Sequence, residues 1–110
     1  MTISIFENLN SSNAMFHQDG LKIYEVVKGA LDKGENTIVV DFSNINVLTT
    51  QFMNASFGKL IIESGIPFFN KHIKTSGTEK LSTYQTKLDW VIDNIQNNDN
   101  YKSLLDIALS

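Results

Sequence analysis

The chain contains no cysteine and one proline in its 110 residues, and all nine of its basic residues are lysines. The lack of cysteine excludes disulfide staples and thiolate zinc sites, and it fits a reducing cytoplasm. The lack of arginine removes the side chain that grips phosphates and base edges bidentately. The lysines are scattered and the net charge is -3, so nucleic-acid binding is not expected. No apolar run approaches the ~18 residues of a membrane span, so no membrane association is expected. The N-terminal stretch Met1-Thr2-Ile3-Ser4-Ile5-Phe6-Glu7 has neither the basic region nor the apolar core of a signal peptide. P-loop, nucleophile-elbow and dinucleotide signatures are missing, and Gly20, Gly29 and Gly34 are spaced too widely for a phosphate cradle. His17 and His72 are the only histidines. Without ligand-like spacing around them, neither a metal site nor a cofactor is expected.

The remaining pattern reads as one α/β domain over residues 1–110. Thr2 to Phe6 alternates polar and apolar residues like a half-buried strand, and Asn8 to Asn13 reads as a turn or loop. Ala14-Met15-Phe16 suggests a second short strand. Asp19 is the expected N-cap of a helix that Gly34 stops, with Ile23, Val26, Val27 and Ala30 on its apolar face. Thr37 to Phe42 is a continuous apolar run, the pattern of a central strand covered on both sides.

A second apolar step at Val47-Leu48 leads into Thr49-Thr50 and a helix predicted to run to about Ser64. Met53, Phe57, Leu60 and Ile61 make one apolar face of this helix, with Phe52, Ala55 and Ile62 on another side. Gly65 and Pro67 end it, and Asn70 to Thr75 is the next strand. From Glu79 to about Gln96 a helix carries a stripe of Leu81, Tyr84, Leu88, Val91, Ile92 and Ile95, with Trp90 opposite. Tyr101, Leu104, Leu105 and Ala108 suggest a short C-terminal helix that covers Trp90, the alternative being another chain.

The order "apolar strand, Asp41-Phe42-Ser43, apolar pair, hydroxyl pair, Phe52, then Asn54-Ala55-Ser56-Phe57-Gly58-Lys59-Leu60", with Asp19-Gly20 and Gly34 upstream, resembles the bacterial STAS-like domains of unassigned function. These are relatives of the anti-sigma-factor antagonists. The resemblance runs from about Asp19 to Ser64 and implies a STAS-like mixed sheet with helices packed on it. In antagonists of the wider group, a serine in an Asp-Ser-Ser-Gly segment at this helix start is phosphorylated by a partner kinase. The matching stretch here is Thr49-Thr50-Gln51-Phe52.

What the resemblance implies is a non-enzymatic regulatory module. It would bind a histidine-kinase-like ATPase through the loop and helix start at residues 49–56. Thr49 and Thr50 are then the candidate phospho-switch. Gln51, Phe52, Asn54, Ala55, Ser56 and Ile62 are the candidate partner contacts. Read from the residues alone, one hydroxyl of the Thr49-Thr50 pair is the expected helix N-cap. An alternative from the same residues is a small-anion or small-ligand sensor held at the amides of Thr50 to Phe52. A third reading, an enzyme, would need a cleft combining Asp41, His17 and Thr49. Asp41 by itself is expected to bond turn amides near Asn44.

Overall fold

In the computed structural model the described residues are 1–97. The expected C-terminal helix lies outside them. Three parallel strands, β1 (Thr2–Ser4), β3 (Ile38–Asp41) and β5 (Ile73–Ser76), form a sheet in the order β1-β3-β5. A second parallel pair joins β2 (Asn13–Ala14) to β4 (Val47–Leu48). All described strand pairings are therefore parallel, in two small sheets in place of a single mixed one. The α/β character and the helices packed on the sheet are as expected.

The first strand is shorter than the alternation of Thr2 to Phe6 implied. Ser4 ends it and caps α1 (Ile5–Leu9), its Oγ accepting the Glu7 amide at 3.1 Å. Ser4-Ile5-Phe6-Glu7 is a Ser-x-x-Glu helix start, a signal that the surrounding alternation masks. The next helix, α2 (His17–Asp32), begins two residues before Asp19. Asp19 is thus not the N-cap; its carboxylate accepts the amide of Phe16, the residue that is. At the other end Gly34, at φ 98°, donates to the Leu31 carbonyl while Glu35 donates to Ala30. That paired C-terminal bonding needs a left-handed residue, which glycine supplies without strain.

The central strand β3 is covered fully on one face only. Ile38 and Val40 are buried while Val39 and Asp41 are half-buried. Ile3, Val40, Ile38 and Ile73 turn to the helical side, and Lys74 and Thr2 are exposed on the other. A continuous apolar run looks the same in a one-sided strand when valine occupies its open face.

The helix after Thr49 is continuous through residues 50–64 but not regular. It comprises α3 (Thr50–Met53), a π-helical turn (Asn54–Gly58) and α4 (Lys59–Ser64). Gly65 closes it, and Pro67, expected to help end it, stands in the first turn of a further helix, α5 (Ile66–His72). That helix displaces the start of β5 from Asn70 to Ile73. The last described helix, α6 (Tyr84–Asn97), starts five residues later than Glu79, after a turn in which Leu81 still packs on the core. Val91 and Tyr84 of its stripe are buried, and Trp90 is 45% exposed.

Four aromatic rings tie these layers together. Tyr84 of α6 meets Phe42 at 5.1 Å, Phe42 meets Phe57 of the π turn at 6.0 Å, and Phe57 meets Phe69 of α5 at 5.1 Å. All three contacts are edge-to-face, the arrangement that aligns ring edges with ring faces of opposite partial charge. Burial raises the pKa of the Tyr84 phenol, an effect that its hydrogen bond with Thr75 opposes.

Candidate functional site

The Thr49-Thr50 step is built by the pairing of β4 with β2. Leu48 lies beside Ala14, and the Thr49 amide donates to the Ala14 carbonyl at 3.1 Å. That fixes the Thr49 hydroxyl between two backbones. It donates to the Met15 carbonyl at 2.6 Å and accepts the Phe52 amide at 3.1 Å. Thr49 is the N-cap, as one of the two hydroxyls was expected to be. Thr50 and Gln51 stand exposed in the first turn.

This cap bears on the anion alternative. The Phe52 amide, one of three that an anion at Thr50 to Phe52 would use, is already taken by Thr49. Met53 likewise donates to the Thr49 carbonyl.

The candidate partner contacts divide. Gln51 is exposed, and Asn54 and Ile62 are half-buried. Phe52 (1% exposed), Ala55 (0%) and Ser56 (0%) are core residues, so their side chains are not at the surface where anchors were expected. For Ala55 and Ser56 the cause is the π turn, whose wider coil brings Ala55, Ser56, Phe57 and Gly58 inward one after another. A period of 3.6 would have sent some of them to solvent. The helix is also covered on two sides. A Cβ at Gly20 of α2 would lie 2.5 Å from the Phe52 carbonyl oxygen and 2.7 Å from Ala55 Cβ. On the other side, a Cβ at Gly58 would lie 3.3 Å from Val91 of α6. Ser56 is satisfied internally, its hydroxyl donating to the Phe52 carbonyl at 2.9 Å.

Two exposed apolar side chains that the sequence did not single out lie at this edge. Phe16 (61% exposed) follows Met15, which holds Thr49, and Val47 (39%) opens β4. Phe16 is also the N-cap of α2, so the starts of α2 and α3 come together here. Helical spacing puts Phe16 in line with Ile23, Val27 and Ala30, so its exposure has no mark in the sequence; as the N-cap it has extended backbone (φ -94°, ψ 154°) and stands outside that face.

Asp41 belongs to a different cluster. One of its oxygens accepts the Ser43 amide at 3.0 Å, the Ser43 hydroxyl at 2.7 Å and the Ser76 hydroxyl at 3.1 Å. The bonded turn amide, that of Ser43, lies next to Asn44, where it was expected. These donors, the Ser43 amide foremost, hold its carboxyl below the usual range against the opposing effect of burial. Gly77 closes the cluster at φ 72°, and a Cβ there would collide with the Ser43 amide nitrogen. Beyond it lies a cleft of about 280 Å³ whose lining includes Ser43, Asn44, Glu79 and Lys80. A second cleft, of about 510 Å³, runs between α5, β5 and α6. Neither cleft is lined by Asp41, His17 or Thr49. Among the described residues no three His, Asp or Glu side chains gather as a metal site. Nor, among them, is any helix long and apolar enough to cross a membrane.

The family model of the STAS-like domain of unknown function (DUF4325) matches residues 19–83, from the first turn of α2 to the start of α6. No match to a curated protein or to a solved structure was found. The matched span contains the Thr49 helix start, the π turn and the central strand, and a STAS-like domain fits a regulatory or interaction module. The chain belongs to the family of STAS-like domains of unknown function.

Proposed function

We propose that this chain is a non-enzymatic regulatory module of the cytoplasm. Its partner is a histidine-kinase-like ATP-binding protein that docks on the shared start of α2 and α3. The observation that carries this reading is that exposed Thr50 and Gln51 follow directly on Thr49, whose hydrogen bond to Met15 joins their helix start to the stretch that carries exposed Phe16, with exposed Val47 two residues before Thr49. Apolar side chains beside unspent polar ones on a rigid element are the ingredients of a specific protein interface. Phe16 and Val47 take the anchoring part that Phe52 and Ala55, being buried, do not supply.

Within this reading the switch hydroxyl is Thr50. The Thr49 hydroxyl is engaged both as donor and as acceptor, so modifying it would break the cap, whereas Thr50 is exposed. A phosphate on Thr50 would sit at the positive end of the helix dipole, adding about two negative charges to the docking face with little harm to folding. The test is affinity capture from the native cell with wild-type chain and with Phe16→Asp and Gln51→Arg variants. Captured protein is then assayed for retention on immobilised ATP and for phosphate transfer to this chain. The reading expects an ATP-binding protein lost from both variants. Capture that is indifferent to both variants, or that brings down no ATP-binding protein, overturns it.

A further inference from the structure

The edge of the main sheet formed by β5 is open among the described residues. β5 pairs with β3 on one side only and ends the order β1-β3-β5. Phe42 donates to the Ser76 carbonyl at 2.8 Å, which shows that Ser76, and by the two-residue period Lys74, turn their backbone groups toward β3. Thr75 therefore turns its N–H and C=O outward, as Ile73 does its C=O, while the Ile73 N–H is taken by Phe69. Alongside this edge runs the cleft of about 510 Å³. Phe69, Ile73 and Tyr84 form its apolar floor, each less than a tenth exposed, and Leu88 extends it. Lys74 is the one charged residue along it among the described residues.

We propose that this edge accepts an extended peptide segment of a partner protein, in which an apolar residue is flanked by acidic ones, added as a fourth strand beside β5. The surface is separate from the helix start at Thr49 and does not depend on the function assigned there. The pleat supplies the pattern. Ile73 and Thr75 face the helices and Lys74 the opposite side, so successive side chains of an added strand alternate between the apolar floor and the lysine. The Lys74 ammonium donates to the Asn70 carbonyl at 2.7 Å and keeps two hydrogens for a carboxylate. A second copy of this chain fits the edge less well. Two β5 strands meeting about a two-fold axis would bring Lys74 near its own copy, like charge against like.

The test is nuclear magnetic resonance titration of the full isotope-labelled chain with two capped hexapeptides, one alternating Asp with Val and the other Lys with Val. The Asp–Val peptide should shift the Lys74 and Thr75 amides saturably and bind at least about tenfold more tightly than its lysine counterpart. Lys74→Glu should reverse that order. Thr75→Pro should abolish binding, because it removes an outward N–H and leaves the ladder to β3 intact. If that variant does not fold, N-methylation of the peptide's central residues removes the matching donors from the other side. Equal binding of both peptides, no binding of either, or shifts confined to Thr50 and Gln51 would overturn the proposal. So would slow hydrogen exchange of Thr75 in the unliganded chain, which means that the edge is already covered. Sedimentation would then tell a second copy from the chain itself.

Discussion

The Thr49 hydroxyl donates to the Met15 carbonyl at 2.6 Å, linking two helix starts that lie 34 positions apart in sequence. Because the same oxygen accepts the Phe52 amide, one side chain sets both the first turn of α3 and its position against α2. Loss of the hydroxyl should therefore cost more than an isolated cap. Thr49→Ala is expected to lose about 2 kcal/mol in urea unfolding, the upper end of cap substitutions, and Thr49→Ser less than about 0.5. Thr50→Ala, at an exposed position, should stay within about 0.5 kcal/mol of wild type. Equal costs at Thr49 and Thr50 would mean that the bridge does not hold the helix start.

Two glycines of α2 should respond in opposite directions. Gly20→Ala would force a methyl against the Phe52 carbonyl oxygen, a backbone atom that cannot swing aside. A loss of about 2–3 kcal/mol is expected, as for overpacked cores. A methyl added at Gly29 would meet nothing within 4 Å, so Gly29→Ala should gain up to about 1 kcal/mol from helix propensity. Thermal melts of the two variants decide this directly.

These positions also show where the sequence was legible. The strand–turn–helix run from Ile38 to Leu60 could be read because apolar spacing, Asp41 and the hydroxyl pair agree with one another. That one hydroxyl of the Thr49-Thr50 pair caps the helix followed from its place before that periodicity; which of the two did not. The burial of Ala55 and Ser56 could not be read, since a π turn changes the period without any residue that announces it. Nor could the exposed edge at Phe16 and Val47, which depends on β2 meeting β4 across a long loop. Helix α1 was readable in principle: the Ser4–Glu7 pair marks its start, but the short alternation around it reads equally well as strand.

Acid should act through Asp41. Its carboxyl pKa is lowered in the folded state, so the stability it contributes is present above the unfolded carboxyl range, near 4. That contribution is lost as pH falls through the lower folded value. Wild type should therefore lose stability relative to Asp41→Asn between about pH 5 and the acid limit. Urea midpoints of both proteins across that range test it; parallel curves would show that the Ser43 and Ser76 hydrogen bonds do not favour the ionised form.

Alkali should act through Tyr24. Its hydroxyl donates to both Glu63 oxygens, at 2.6 and 2.7 Å, and the Lys59 ammonium lies 4.5 Å from its ring centre. Burial, and then the hydrogen bond and charge of Glu63, raise the phenol pKa well above the ordinary range. The stability linked to this group is complete below about pH 10, the unfolded phenol value, and falls as pH rises beyond it. In Tyr24→Phe the decline above pH 10 should be shallower, and ultraviolet titration should show one fewer late-ionising phenol. An unchanged alkaline decline would remove Tyr24 as its source.

The central claim is that protein partners bind at the joined starts of α2 and α3. Site-specific photo-crosslinking in the native cell tests it most directly, with the photoreactive residue placed at Gln51, at Phe16 and, as a remote exposed control, at Glu35. The account predicts one shared protein adduct from Gln51 and Phe16, identified by mass spectrometry as an ATP-binding protein, and none of it from Glu35. No adduct from either test position, or the same adducts from Glu35, would contradict it.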